Sequence, residues 1–431
     1  MESGTRNYKV KTVVLVSGER LPMLLGTDGS PLFEATVYSL VELRARNRAA
    51  NTIDACLRSL MLFYMFLDLR NIDLPKRLKN GSLLSLSEVE DLASFSRLSL
   101  ESLSRPYDEN SNDLQPTTVV SMEKHRMRLV SAKKNEEVLP STAANRLRSI
   151  RDFLNWLSLD RLSRHGLPDS FRSRMEATRQ TVCSAIDARL PSGKEHGPLG
   201  KREGLDPAAI RRMFQVIEPH SEDNPWDGSH SKHRNVLIIH WLYSLGLRRG
   251  ELLGVRISDI DFQKGTVIVA RRADDPNDPR RYQPNAKTRA REIPLSSGLL
   301  DMTRNYILQH RATMPGARKH DFLFVSTNGG PPLSIPSLNK IFNVLKAKCP
   351  DLPKNLCPHI LRHTWNDRFS EEMDKNQVPE ETEKKTRSYL MGWSETSNTA
   401  TTYTRRHIRK RAQNVSLAMQ KRMTEEDHYE E

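Results

Sequence analysis

His359-Ile360-Leu361-Arg362-His363-Thr364-Trp365, continued by Leu390-Met391-Gly392-Trp393 and Thr401-Thr402-Tyr403-Thr404-Arg405-Arg406, decides how the rest of this chain is read. On a helix His359 and Arg362 stand three residues apart, so they share a face and can grip one small anion together. Trp393 offers an indole N–H, and Tyr403 a phenol that becomes a nucleophile once its proton is taken or its target polarised. A His, an Arg, an indole donor and a late Tyr suit a phosphodiester site that uses no metal.

Two upstream stretches supply what this one lacks. Ser244-Leu245-Gly246-Leu247-Arg248-Arg249-Gly250-Glu251 ends one helix at a glycine and starts another. Arg248 falls at the turn, and Glu251 three residues later can orient it. Arg249 lacks that offset to Glu251, so Arg248 is the preferred candidate. Further on, Asn285-Ala286-Lys287-Thr288-Arg289-Ala290-Arg291-Glu292-Ile293-Pro294-Leu295 reads as a turn that carries a lysine into a strand.

The order Arg, Lys, His-x-x-Arg, Gly-Trp, Tyr over roughly residues 200–410 resembles the catalytic set of the tyrosine recombinase (phage integrase) family. The resemblance makes Arg248 the first catalytic arginine and Lys287 the mobile hairpin lysine. His359 and Arg362 match the His-x-x-Arg pair, and Tyr403 matches the nucleophile. Trp393 falls where most members carry His and a minority Trp. Tyr403 follows it by ten positions, one more than the family's usual spacing. Glu251 and His363 are expected to orient their neighbours.

Composition agrees. A chain of 431 residues exceeds one core, so two or three domains are expected. The formal net charge of +14 points to a polyanionic partner. Cysteines at 56, 183, 349 and 357 are scattered, as in a reduced intracellular chain rather than a disulfide framework. The spacing of Cys349, Cys357, His359 and His363 is not a usual structural zinc pattern. No apolar run approaches the ~20 residues of a membrane span, and the first residues lack a signal peptide's apolar core. The expectation is a soluble cytoplasmic protein, bacterial and associated with the nucleoid.

Along the chain, Tyr8–Ser17 and Leu21–Leu25 predict a hairpin arm within 1–35. Phe33 to Arg44 turns helical. A helix capped at Asn51-Thr52 runs to about Asp68, with Ile53, Leu57, Leu60, Tyr64 and Leu67 on one stripe. Another begins at Ser141, burying Leu147, Ile150, Leu154 and Leu157 and leaving Arg146, Arg148 and Arg151 outside. Residues 104–136, polar and broken by Pro106 and Pro116, read as a long loop. Residues 191–204 form a Pro/Gly-rich basic linker, and Asp206-Pro207 caps the next helix. A loop at 219–232 leads to a buried helix, Val236–Leu245. Gly265–Ala270 is a strand, Asp274–Pro284 an insertion and Arg291–Leu295 a second strand. Helices follow at 297–312, 335–348, 358–372 and 380–391. The expected class is mainly α with a small antiparallel sheet (α+β). The resemblance divides it into a helical core-binding domain at 36–190, an integrase-type catalytic domain at 205–404 and a tail at 405–431.

Arg146, Arg148, Arg151, Arg256, Arg289 and Arg291 are candidates for DNA contact. Arg256, together with Arg271, Arg272, Arg280 and Arg281, reads either as DNA-backbone contact or as solvated surface. In the tail, Ile408, Ala412, Val415, Ala418 (or Met419) and Met423 recur at helical spacing. The resemblance suggests that this stripe docks on a neighbouring protomer, and packing on its own domain is the alternative.

The resemblance implies cleavage and rejoining of double-stranded DNA through a 3′-phosphotyrosine, without metal, ATP or any cofactor. It implies a homotetramer on two DNA sites, with accessory or sister recombinases as further partners and no membrane, in an integrase or transposase-like enzyme of a mobile element. A topoisomerase IB-like nicking and closing enzyme and a DNA-binding regulator on an integrase scaffold are the alternatives.

Overall fold

The computed structural model describes residues 8–104, 137–191, 204–284, 288–394, 413 and 415–420. The chain separates into two compact units, Met1–His196 and Gly197–Glu431.

In the first unit the arm is a true hairpin. Strand β1 (Lys9–Val14) pairs antiparallel with β2 (Arg20–Leu25), from Lys9 opposite Leu25 to Val14 opposite Arg20. The chain then turns helical at Phe33–Tyr38 and widens into a π-helix over Ser39–Arg44. The long helix spans Ala50–Leu69, and its N-cap is Ala49, which has no side-chain cap. Asn51 and Thr52, expected as the cap, lie inside the first turn. The stripe Ile53, Leu57, Leu60 and Leu67 is buried, and it packs with Phe153 and Leu154 of the Pro140–Leu162 helix and Met175 and Val182 of the Asp169–Ala188 helix.

Two short helices here carry start signals that the sequence reading did not use. Asp73 Oδ1 accepts from the Lys76 N–H at 2.9 Å to open Leu74–Lys79. Ser85 and Glu88 cap each other reciprocally at the start of Leu86–Phe95 (2.7 and 3.3 Å), a device worth about 1 kcal/mol. The expected loop at 104–136 lies outside the described residues except for its first position.

The second unit opens on Pro207–Ile217, capped as expected, with Asp206 Oδ1 accepting from the Ala209 N–H at 2.8 Å. The next helix, Ser229–Leu245, begins seven residues before the predicted Val236, because its polar first turns still bury His230, Arg234 and Asn235. A three-stranded antiparallel sheet follows in the order β3 (Ile260–Asp261), β4 (Thr266–Val269), β5 (Arg291–Pro294). Helices Ser297–Asn305, Ile335–Lys348, Pro358–Lys375 and Glu380–Met391 complete the unit. Trp241, Leu242, Val267, Ile293, Phe342 and Leu361 share one core. The fold is therefore α+β, helices around a small antiparallel sheet. No helix among the described residues is long and apolar enough to cross a membrane.

The insertion before Lys287 does not project as a solvated loop. Arg280 is buried against Asp278 (2.8 Å) and donates to the carbonyls of Leu253 (3.0 Å) and Leu333 (2.8 Å). Arg256 pairs with Asp275, and Arg272 donates to Asp259 at 3.0 Å. The guanidiniums of Arg280 and Arg256 lie 4.4 and 5.1 Å from the Phe322 ring centroid. Both alternatives offered for these three arginines, DNA contact or solvated surface, are thus replaced by internal pairing.

Candidate active site

The site is built from three chain turns. The Ser229–Leu245 helix ends at Gly246, which adopts the left-handed conformation (φ 61°). A Cβ there would also fall 2.8 Å from the Trp365 ring, so only glycine fits. Trp365 Nε1 donates to the Ser244 carbonyl (2.9 Å) and Arg362 Nη1 to the Gly246 carbonyl (2.6 Å), which pins the Pro358–Lys375 helix to this turn. Arg248 follows as the N-cap of the Arg249–Gly254 helix.

Glu251, fully buried, organises what surrounds it. Its Oε2 accepts from the Arg248 backbone N–H (3.0 Å) and from Arg291 Nη2 (3.0 Å), and Arg362 Nη1 stands 3.6 Å away. Its Oε1 accepts from Arg248 Nη1 (3.2 Å) and Thr288 Oγ1 (2.6 Å). Burial alone would raise this carboxyl; Arg291, then Arg362, with the Thr288 and Arg248 hydrogen bonds, hold it down at about 2. Glu251 is therefore ionised at any physiological pH. Three guanidiniums converge on this single carboxylate.

The third turn closes the Glu380–Met391 helix at Gly392 (φ 65°), where a Cβ would lie 2.9 Å from the Arg289 carbonyl oxygen, Arg291 Nη1 and Thr288 Cβ. The Arg289 N–H donates to the Gly392 carbonyl at 3.0 Å. Trp393 is buried, its ring 5.5 Å from the Arg362 guanidinium. Arg248, Arg271, Thr288, Arg289, Gly392 and Trp393 line one open cleft. Arg248, 31% exposed, faces solvent, while Arg362, 2% exposed, is buried against Glu251.

Of the residues singled out in the sequence, Arg248, Glu251, Arg362 and Trp393 come together here. His359 is exposed on the same helix as Arg362, its ring against that of His363 (centroids 4.4 Å apart). Lys287 and Tyr403 lie outside the described residues. Among the candidate DNA contacts, Arg148 and Arg289 are exposed. Arg291 is a correction: it is buried and ion-paired with Glu251. Arg256 is held by Asp275 and Phe322. Arg146 donates to the carbonyls of Ser96 (3.0 Å) and Leu98 (2.7 Å), and Arg151 pairs with Asp152 and Asp187. Thr288 and Trp365 are site-building residues to which the sequence reading gave no role. Alternation along Arg291-Glu292-Ile293 could have placed Arg291 on the buried face with Ile293.

An α+β unit that sets a helix-borne His-x-x-Arg and a Gly-Trp turn beside an arginine turn is of the integrase type. Residues 204–409, within the second unit, match the family model described as phage integrase family. The tyrosine recombinase XerC of Proteus mirabilis is 23% identical over 245 residues, 57% of this chain and 64% of that protein. The tyrosine recombinase XerD of Halalkalibacterium halodurans is 29% identical over 132 residues, 31% of this chain and 39% of that protein. The chain thus spans less than two thirds of the length of either relative. Among solved structures, the Tn1549 transposon integrase in complex with circular intermediate DNA shares the fold at TM-score 0.50, with 18% identity over 86% of this chain and 95% of that one.

Proposed function

We propose that this chain is a site-specific DNA recombinase that cleaves and rejoins double-stranded DNA through a 3′-phosphotyrosine at Tyr403. The observation that carries the reading is the convergence of Arg248, Arg291 and Arg362 on the single carboxylate of Glu251, beside a cleft edged by Trp393. Positive charge beyond what one carboxylate balances suits a phosphodiester, whose transition state gathers negative charge on its non-bridging oxygens. Arg248 and Arg362 clamp those oxygens, and Trp393 donates a further hydrogen bond. The Tyr403 hydroxyl oxygen bonds to phosphorus as the P–O5′ bond breaks. His359 accepts the tyrosine proton, or orients the tyrosine, and Lys287 protonates the departing 5′-oxygen. The phosphotyrosine conserves the bond energy, so a 5′-hydroxyl of a partner duplex reverses the step without ATP.

In this reading residues 36–190 are a DNA-gripping core-binding domain behind the arm at 1–35, joined by the 191–204 linker to the catalytic domain at 205–404. The enzyme serves a mobile element in the bacterial cytoplasm, at the nucleoid, with accessory or sister recombinases among its partners. The solved neighbour is a transposon integrase on circular intermediate DNA, which supports an element-borne role. The tail docks on a neighbouring copy within a tetramer on two sites. Positions 415–420 are helical, and Val415 and Met419, four residues apart on one face, are both exposed, so that face asks for cover.

The test is a nicked duplex drawn from the DNA flanking the gene, incubated in EDTA. Covalent protein–DNA adduct, absent in Tyr403→Phe, is expected. A mobility shift without adduct would make the chain a DNA-binding regulator, and a requirement for Mg²⁺ would overturn the mechanism. Relaxation of supercoiled plasmid lacking the flanking sequence would favour a nicking-closing enzyme. Deleting 407–431 should spare half-site binding and abolish assembly on paired sites; full assembly would place the tail on its own domain.

A further inference from the structure

We propose that Arg291 is a positioning residue for strand cleavage, the link that holds the arginine turn and the Gly-Trp turn at a fixed separation; this rests on the recombinase reading above. β5 is an outer strand of its sheet, and its inward face carries Arg291 and then Ile293. A guanidinium there, its side chain 1% exposed, is costly unless every contact is good. Its Nη2 donates to Glu251 Oε2 (3.0 Å), its Nη1 to Thr288 Oγ1 (3.3 Å) and its Nε to the Leu390 carbonyl (2.6 Å).

Each acceptor belongs to a different part of the site. Glu251 carries Arg248 and Arg362. Thr288 directly follows Lys287. The Leu390 carbonyl lies three residues before Trp393, in the turn that presents the indole. One planar side chain therefore braces its own hairpin at Thr288 and ties it to two separately folded segments. A merely architectural ion pair needs only the Glu251 contact, and an apolar side chain of similar volume often replaces such a pair without loss of stability. The bond from Nε to a main-chain carbonyl beside the cleft serves no ion pair. A second hydrogen bond between this hairpin and the 390–393 turn runs from the Arg289 N–H to the Gly392 carbonyl. The packing at Gly392, within 2.9 Å of Arg291 Nη1 for any added Cβ, leaves the turn little room to adjust.

Displacing a catalytic group by about 1 Å through a remote change can slow a reaction on the order of 100-fold. The test compares single-turnover cleavage of the nicked duplex at saturating protein with half-site affinity and thermal melting. Arg291→Met keeps volume and loses every donor. Arg291→Lys keeps charge beside Glu251 but cannot reach all three acceptors. Both variants should cleave on the order of 100-fold slower than the wild type at saturation, with affinity unchanged within about twofold. If Arg291→Met melts below the assay temperature, Arg291→Lys decides the matter. A wild-type rate, or one that falls only in step with affinity or folded fraction, would reduce Arg291 to an architectural residue. Absence of adduct with the unaltered chain would overturn the recombinase reading and this inference with it, an outcome distinct from unimpaired variants.

Discussion

Two arginine clusters in the second unit show opposite charge arithmetic. Around Glu251, three guanidiniums share one carboxylate. In and beside the insertion, Arg256, Arg272 and Arg280 each have an aspartate of their own, Asp275, Asp259 and Asp278. Buried cations are tolerated when matched, and the insertion is matched one to one. Among the described residues the first cluster sets three guanidiniums against one carboxylate beside an open cleft, an arrangement that suits an anion. On the proposed reading the arginines around Glu251 form a reactive set held together by Arg291, those beside the insertion form a fastening set, and the ratio of acids to bases among the described residues separates them.

The largest effect that can break this comparison comes from the reactive set. Arg248→Ala or Arg362→Ala should lower single-turnover cleavage by about a thousandfold or more, and lysine should restore little, since the planar fork is lost. A loss under tenfold would show that the surplus charge is not used.

Next is Glu251→Gln, which leaves three guanidiniums without their anion. Breaking a buried pair from one side costs about 3–5 kcal/mol, which denaturant unfolding would register. The pH dependence follows from the depressed carboxyl. Its stabilising contribution is present above the ordinary value of 4.5 and is lost as pH falls toward about 2. The stability difference between wild type and Glu251→Gln should therefore stay constant from pH 8 to 5 and shrink only below about 4.5. A difference that already shrinks near neutrality would mean that Glu251 is not held ionised.

The fastening set should behave otherwise. Replacing Arg280 by Met together with Asp278 by Leu removes a balanced pair and leaves the Leu253 and Leu333 carbonyls without that donor, a loss of about 1–3 kcal/mol. Cleavage at saturating protein should remain within about threefold of wild type by the same single-turnover assay, because nothing in the cleft changes. A collapse of the cleavage rate would erase the distinction between the clusters.

The smallest effect concerns the first unit. Arg148 is exposed, whereas Arg146 is tied to the Ser96 and Leu98 carbonyls. Arg148→Ala should reduce the salt dependence of DNA binding by roughly one unit of slope. Arg146→Ala should lower the melting temperature instead.

Much of this was legible in the sequence because it depends on short spacings. Asp206-Pro207 announces its helix, Gly246 and Gly392 mark their turns, and the offset from Arg248 to Glu251 foretells their contact. Arg291 was misjudged because a charged residue in a basic stretch looks solvated until Glu251, forty residues earlier, is known to lie beneath it. The insertion misled for the same reason, since its Asp275 meets Arg256 only after the chain folds back. Long-range pairing of charges leaves no periodic trace. The helix that starts at Ser229 reads short from sequence because His230 falls in the expected 219–232 loop and the polar Arg234 and Asn235 precede the first apolar residue, although all three are buried.

The most direct measurement is a structure of Tyr403→Phe bound to the nicked duplex from the gene's flank. The account predicts one backbone phosphate in the cleft, accepting hydrogen bonds from Arg248 and Arg362 and from the Trp393 indole, with none reaching Arg256, Arg272 or Arg280. A phosphate seated on the insertion arginines, or DNA bound with the Arg248 cleft left empty, would contradict it.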